Sequence, residues 1–313
     1  MAIPGAARLL VLLILVGFGL LGGAGVASAH GDGGLGPEAH LPRVLGLDPP
    51  VPGLDVTVIE SGARLRIDNR TGVDVLVLPP DGAPQAAVLL VVPGGTARWA
   101  DQRVSAAAVD PAPAEGRRAW AVPLRVGDRP VAVRGEQVWP APPPSAAWWL
   151  ATLAVAAVAA VVGTRAVYRQ SWAPALAGMA VLVAAAHVVH VLGSALIVED
   201  RPLLGVLLGA AGPAVLAWLL ALTGAALTLA RRAYGPLLCA LSGGVFALVT
   251  AFSANNFGYA VLPFTGPADL DRTAVALTLG GGAGLFLAGF AALRELTPAT
   301  PPNATPEEPH RVP

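Results

Sequence analysis

The chain has 313 residues, of which 55% are hydrophobic and 13% charged, and its formal net charge is zero. This apolar composition excludes an ordinary soluble domain, and the balanced charge without a basic run excludes the electrostatic footprint of a nucleic-acid-binding protein. The single cysteine, Cys239, excludes a disulfide framework within the chain. We interpret it as a small packing residue.

The N-terminus predicts a secretory signal peptide over residues 1–29. Arg8 provides a positive charge, the run LLVLLILVGFGLL is the apolar core, and Ala-Ser-Ala at 27–29 satisfies the small-residue rule for cleavage. An uncleaved signal anchor is the alternative. We favour cleavage because polar, Gly-rich sequence follows at once, so that the mature chain begins at His30.

A flexible segment and then a β domain follow. Residues 30–54 are rich in Gly, Pro and acidic residues, which predicts a flexible Gly/Pro-rich segment. Over residues 55–139, short Val-rich runs with a period of two alternate with turn signals such as NRTG and PPDG. This spacing predicts a small extracellular antiparallel β-sandwich. Leu65 and Ile67 are expected in its core, with Arg66 facing water.

Two further groups of residues are expected in this domain. Its large core or rim residues are Trp99, Trp120 and Trp139. Its carboxylates are scattered among arginines and are interpreted as a solvated surface: Glu60, Asp68, Asp74 and Asp101.

The C-terminal half predicts a membrane bundle. Residues 140–145, PAPPPS, form a stiff Pro-rich linker. Residues 146–295 predict a five-span transmembrane bundle, because they contain five apolar blocks long enough to cross a bilayer. The blocks cover about residues 146–164, 174–198, 203–230, 236–254 and 273–293. Pro213, midway along the third block, is interpreted as a kink.

Arginines in the short loops predict the orientation. With the β domain outside, five of them lie in the cytoplasm and two outside, which agrees with the positive-inside rule. The inner set is Arg165, Arg169, Arg231, Arg232 and Arg294, and the outer set is Arg201 and Arg272. We predict a multi-pass plasma-membrane protein with an extracellular N-terminal domain and a disordered cytoplasmic tail over residues 296–313.

His30 is the first candidate metal ligand. A free α-amine and the imidazole of the same N-terminal histidine form a six-membered chelate with Cu(II), and nitrogen ligands suit copper. Asp32 or His40, from the same flexible segment, is a candidate for a further ligand. The alternative is that His30 is only a polar residue after the cleavage site.

The second candidate is the run HVVHVLGS in the second block. His187 and His190 are three residues apart and therefore share a helix face. Ionisable residues within a span suggest a metal relay, a proton relay or haem ligation. Equally, neutral histidines can hydrogen-bond across helices and hold a bundle together. At the same depth in the membrane we expect Ser253, Asn255 and Asn256. We expect no carboxylate there.

The last block contains TLGGGAGLFLAG. This run lacks the Lys-Ser/Thr of a phosphate-binding loop. Gly280 and Gly284 instead predict a small-xxx-small contact between helices.

The strand sequences resemble a family of actinobacterial membrane proteins. The resemblance rests on LRIDNRTGVDVLVL, with its Asn-Arg-Thr turn, and on WAVPLRVGDRPVAVRGEQVW, with its Trp-x-Val-Pro…Gly…Trp close. It implies a signal peptide ending at a histidine, an extracellular β domain, C-terminal transmembrane helices and an association with copper-handling proteins. The chain departs from the family at RWADQRVSAAAVDP, where a histidine is expected and none occurs. The implied copper ligands are therefore His30, His40, His187 and His190.

We expect an integral membrane protein with a non-enzymatic binding or accessory role in copper handling. Its expected partners are membrane lipid and other proteins. An enzyme is the least supported class, because no nucleophile elbow, zinc-binding His-Glu motif, Walker loop or acidic pair occurs. The alternative is an envelope scaffold or protein-interaction module with no bound ligand. Transport is less favoured, because no charged residue lines a predicted span.

Overall fold

The chain folds into an antiparallel β domain of two sheets followed by a group of helices, as the sequence predicts. The computed structural model describes residues 35–80, 88–104, 113–199, 202–212 and 214–296. The predicted signal peptide, His30 and the tail from residue 297 lie outside the described residues.

Within the described part of the chain, eight strands build the β domain. They are β1 Leu41–Asp48, β2 Leu54–Ile59, β3 Arg64–Asn69, β4 Val75–Val77, β5 Leu89–Val91, β6 Thr96–Trp99, β7 Arg117–Val126 and β8 Arg129–Val138. One sheet has the strand order β1-β8-β7-β4-β5, and the other has the order β2-β3-β6. Neighbouring strands pair antiparallel throughout both sheets.

Apolar side chains from both sheets form one core. Leu65 and Ile67 of β3 are almost fully buried, as predicted, and Val122 of β7 packs in the same core from the opposite sheet. Each such side chain stabilises the fold by about 1.5–3 kcal/mol. Trp120 lies over Gly135, its direct partner on β8. A Cβ at Gly135 would come within 2.0 Å of the indole, so only glycine fits.

Strand β1 corrects the prediction of a flexible segment over residues 30–54. It pairs with β8 from Leu41 opposite Val138 to Asp48 opposite Ala132. The pairing shifts register between Val44 and Gly46. This irregularity breaks the alternation of apolar and polar residues by which a strand is recognised in sequence.

Six helices follow. They are α1 Ser145–Tyr168, α2 Ala173–Ala195, α3 Leu203–Ala211, α4 Ala214–Leu229, α5 Gly235–Ala251 and α6 Ala268–Leu296. Among the described residues, α1, α2 and α6 are long and apolar enough to cross a membrane. Helices α3 and α4 are bent by 76° and together form a candidate fourth span, while α5 has 17 residues. Pro213, the expected kink, lies between α3 and α4 but outside the described residues.

Helix α6 lies among the other long helices, and its glycines face different neighbours. A Cβ on Gly284 would lie 2.2 Å from the backbone oxygen of Ala156 in α1, and Gly280 faces α1 in the same way. A Cβ on Gly282 would lie 2.6 Å from the backbone oxygen of Gly243 in α5. The predicted small-xxx-small contact is therefore confirmed, with α1 as the partner helix.

The β domain packs against one end of the helices, where α2 and α5 finish and α1 and α6 begin. We call this the β-domain end. The loop between α5 and α6 makes the contact: Glu38 and Val261 exchange two backbone hydrogen bonds of 2.9 and 3.0 Å. The Ser61 hydroxyl donates to the backbone oxygen of Leu262 at 2.9 Å.

An ionic contact adds to this interface. Arg66 Nη1 and Arg98 Nε of the three-stranded sheet lie 3.2 and 3.3 Å from the Glu199 carboxylate, which follows α2. Arg66, expected to face water, thus faces the helical part. Glu60, expected at a solvated surface, is 5% exposed. Its carboxylate accepts a 3.4 Å hydrogen bond from the Glu199 amide.

A candidate site at the β-domain end of the helices

His190, in the last two turns of α2, has both ring nitrogens occupied. Nδ1 lies 2.6 Å from Oδ1 of Asp271 in α6, and Nε2 lies 3.0 Å from the hydroxyl of Ser253. Ser253 is the second residue after the end of α5. The expected meeting of Ser253 with the histidine pair is confirmed for His190.

The expectation that no carboxylate lies at the depth of the two histidines is wrong, because Asp271 contacts His190. Its side chain is 1% exposed, and its second oxygen accepts a 2.6 Å hydrogen bond from the Asn256 amide. The predicted span began at residue 273, but α6 begins at Ala268, which draws Asp271 into the first turn. A carboxylate in the first turn is favoured by the helix dipole. The acidic residues of ADLDR are therefore the sequence signal that predicts this helix start.

Arg272 lies beside Asp271 and holds the loop before α6 in place. Its side chain is buried, and it donates to the backbone oxygens of Asn256 and Tyr259 at 3.0 and 2.6 Å. It also pairs with Asp269 at 2.7 Å. Arg272, interpreted as a loop residue, is thus an anchor of the segment that carries Asn256.

The two contacts of His190 assign a direction to each hydrogen bond. A carboxylate oxygen accepts, so His190 Nδ1 donates to Asp271 Oδ1. In the neutral imidazole Nε2 is then the acceptor, and the Ser253 hydroxyl donates to it. The arrangement can pass a proton from Ser253 to His190, because the imidazolium that forms is stabilised by Asp271.

His187 is buried one turn before His190. Its ring contacts Trp218 and Phe246 with centroids 5.8 and 5.3 Å away, and it lies 6.4 Å from His190. Its Nδ1 has no hydrogen-bond partner within the described residues, and the same holds for Trp218 Nε1 and Thr250 Oγ1. Buried polar atoms of this kind are ordinarily satisfied by water.

His40, expected in a flexible segment, lies directly before strand β1 of the β domain. Its ring stacks on Trp139 with centroids 5.4 Å apart, and its Nδ1 lies 3.8 Å from a carboxylate oxygen of Glu38. Burial raises the pKa of Glu38, while the nearby His40 acts to lower it. His40 and Glu38 therefore belong to the segment that joins the β domain to the helices through Val261.

The predicted metal ligands are not gathered into one centre by the described residues. No group of three or more His, Cys, Asp or Glu side chains is placed there to hold a metal ion. His187 and His190 are neighbours, whereas His40 lies in the β domain and His30 lies outside the described residues. The metal site stays a prediction.

The β domain also has a cavity of about 480 Å³, whose lining includes Pro79, Trp99, Asp101 and Arg103. Asp101, expected at a solvated surface, is 5% exposed. Burial acts to raise its pKa, but hydrogen bonds from Arg103 and Trp99 outweigh this and lower the pKa below its ordinary value. Asp101 therefore shapes one wall of the cavity as a charged, fully bonded group.

Comparison with known protein families, with curated proteins and with solved structures found no match for this chain.

Proposed function

We propose that the chain is a multi-pass plasma-membrane protein with the β domain outside the cell and the C-terminus in the cytoplasm. Five spans are proposed: α1, α2, the bent pair α3 and α4, α5, and α6. Helix α5 has 17 residues and is about 25 Å long, against about 30 Å for the hydrocarbon core. Arg165 and Arg294, in the last turns of α1 and α6, support this orientation because both lie opposite the β-domain end.

Single-cysteine labelling in a Cys239→Ser background tests this topology, since the native Cys239 is buried. In that background, Arg129→Cys at the β7–β8 turn is expected to react with a membrane-impermeant maleimide in intact cells. Tyr234→Cys, between α4 and α5, is expected to react only after the cells are permeabilised. Equal labelling at both positions in intact cells would contradict the proposal.

We further propose that the protein is a binding or accessory module for copper handling. The observation that carries the proposal is the position of the β domain, which is fixed over the end of the helices that carries His187 and His190. An N-terminal His30 on the same side of the membrane provides the Cu(II) chelate. The resemblance to membrane proteins that accompany copper handling supports the same role.

Copper titration of the purified protein, after its mature N-terminus has been sequenced, tests this role. The protein is expected to bind Cu(II), and His30→Ala is expected to weaken binding by at least about tenfold. His310→Ala, in the C-terminal tail, is the matched control and should leave binding unchanged. Unaltered stoichiometry and affinity in His30→Ala would remove His30 from the site.

An envelope scaffold without a ligand is the second candidate, and one observation favours it. Both nitrogens of His190 are occupied by Asp271 and Ser253, as expected of a residue that holds helices together. This candidate predicts that His190→Gln lowers the unfolding temperature of the detergent-solubilised protein. It also predicts unchanged growth of cells under copper stress. Loss of copper tolerance at normal stability would favour the copper role instead.

A further inference from the structure

We propose that Ser253 is a nucleophile, His190 its general base and Asp271 the residue that positions the base. The substrate class is a carboxylic ester with an apolar acyl group, taken at the membrane surface. This activity goes beyond the proposed binding role and revises the expectation of a non-enzymatic protein.

The first argument is the order of contacts. The Ser253 hydroxyl lies 3.0 Å from Nε2 of His190. Nδ1 of the same ring lies 2.6 Å from the buried Asp271 carboxylate. This order defines a Ser-His-Asp arrangement, which is recognised by geometry and roles rather than by sequence position. The three residues come from α2, the turn after α5 and the start of α6, so the contact requires the folded helices.

The second argument is that the base is held in one orientation. Asn256 donates to the second oxygen of Asp271, and Arg272 fixes the backbone of Asn256. Asp271 is therefore unable to turn away from His190 without breaking another buried hydrogen bond. A base whose tautomer and direction are set by a third group is what nucleophile activation requires.

The third argument concerns access and substrate class. Ser253 is partly exposed, unlike Asp271. Three aromatic side chains at this end of the helices are exposed. Phe252, next to Ser253 in the chain, is 78% exposed, Trp149 is 45% exposed and Tyr259 is 40% exposed. Trp149 packs edge-on against Phe257, four residues after Ser253. Tryptophan and tyrosine prefer the membrane–water interface, which favours a substrate with an apolar acyl chain over a small polar one.

The proposed reaction is hydrolysis through an acyl-enzyme. Ser253 Oγ bonds to the ester carbonyl carbon as its proton passes to His190 Nε2. The tetrahedral intermediate collapses, and the leaving alcohol takes that proton. Water then attacks the acyl group and gives a proton to His190 Nε2, which returns it to Ser253 as the carboxylic acid leaves. One ester and one water yield one acid and one alcohol.

Reaction of the purified full-length protein with an alkyl fluorophosphonate tests the nucleophile. Mass spectrometry is expected to find the adduct on Ser253, and Ser253→Ala should abolish it. His190→Gln should slow labelling at least about tenfold. Ser194→Ala, one turn after His190 on α2, is the matched control and should label normally.

Hydrolysis of p-nitrophenyl octanoate and p-nitrophenyl acetate tests the substrate class. The octanoate is expected to be hydrolysed faster, and Ser253→Ala should remove both activities. Absence of labelling in wild-type protein that unfolds cooperatively would overturn the nucleophile, as would equal labelling rates in wild type and His190→Gln. Faster hydrolysis of the acetate would overturn the apolar substrate class. None of these results bears on copper binding at His30, so the two proposals fail independently.

Discussion

Asp101 illustrates how a single residue departs from its expected surroundings. Its carboxylate accepts hydrogen bonds from the Arg103 backbone and side chain and from Trp99 Nε1, at 2.7–3.2 Å. In sequence it is one acid among many arginines. Asp101 is buried because the turn at residues 101–104 closes over the core residue Val104.

We expect Asp101→Asn to destabilise the β domain by about 1–3 kcal/mol, because the amide places a donor against the Arg103 donors. The pKa of Asp101 is lowered in the folded protein. Its contribution is therefore present above the unfolded pKa of about 3.9 and is lost as pH falls through the lower, folded value. The change should reduce the acid dependence of stability below about pH 4 in chemical denaturation.

The exposed carboxylate of Asp74 provides the control for this prediction. Asp74→Asn should change the free energy of unfolding by less than about 0.5 kcal/mol. An Asp101→Asn protein with wild-type stability at pH 7 would contradict the structural role of Asp101.

The contact between Asp271 and His190 at the candidate site likewise depends on the fold. His187 and His190 were recognised because a three-residue spacing puts two side chains on one helix face. The partner carboxylate lies 81 residues away from His190 and just before the predicted fifth block. Local patterns do not specify that the end of α2 packs against the start of α6. The pairing of His190 with Asp271 is therefore visible only in the folded structure.

At the scale of elements, the glycine face of helix α6 was predictable. Its glycines at four-residue spacing predicted a close contact, and the contact exists with α1. Strand β1 was missed because its bulge breaks the alternating pattern. Helix α5 was predicted as a span of 19 residues or so, but it ends at Ala251, and Ser253 therefore lies in the turn after it.

Gly284→Ala is expected to separate α6 from α1, because the new Cβ would lie 2.2 Å from the backbone oxygen of Ala156. A clash with backbone is relieved only by moving a helix, so the loss of stability should be about 1–3 kcal/mol. The unfolding temperature of the detergent-solubilised protein measures it. Gly178→Ala in α2 is the control, since its Cβ would meet nothing within 4 Å. Equal effects of the two changes would contradict the packing argument.

At the scale of the whole molecule, the β domain and the helices form a joined structure. The α5–α6 loop contributes Ser253 and Asn256 to the candidate site and Val261 and Leu262 to the β-domain interface. Phe264 of this loop lies against Gly193 of α2, where any Cβ would collide with its ring. Movement of the β domain and the geometry around His190 are therefore coupled through one short segment.

We expect Glu199→Gln to loosen this interface, because Arg66 and Arg98 lose their common carboxylate partner. For a partly exposed ion pair the expected cost is about 1 kcal/mol or less. Hydrogen exchange should become several-fold faster at the amides of Glu38 and Val261 and stay unchanged in β7 and β8. Asp48→Asn, which breaks an exposed pair with Arg134 inside one sheet, should not affect those amides. Unchanged exchange in Glu199→Gln would show that the ionic contact does not hold the domain.

The sequence by itself determined the two-part architecture, the β strands with regular alternation, the apolar helices and the glycine face of α6. These features depend on periodicity and composition, which are local properties of the chain. The tertiary structure alone decided that Asp271 meets His190, that Glu199 joins the β domain to the helices and that Glu60 and Asp101 are buried. Charged side chains enter the interior only where a partner from a distant segment satisfies them, and no local pattern records that partner.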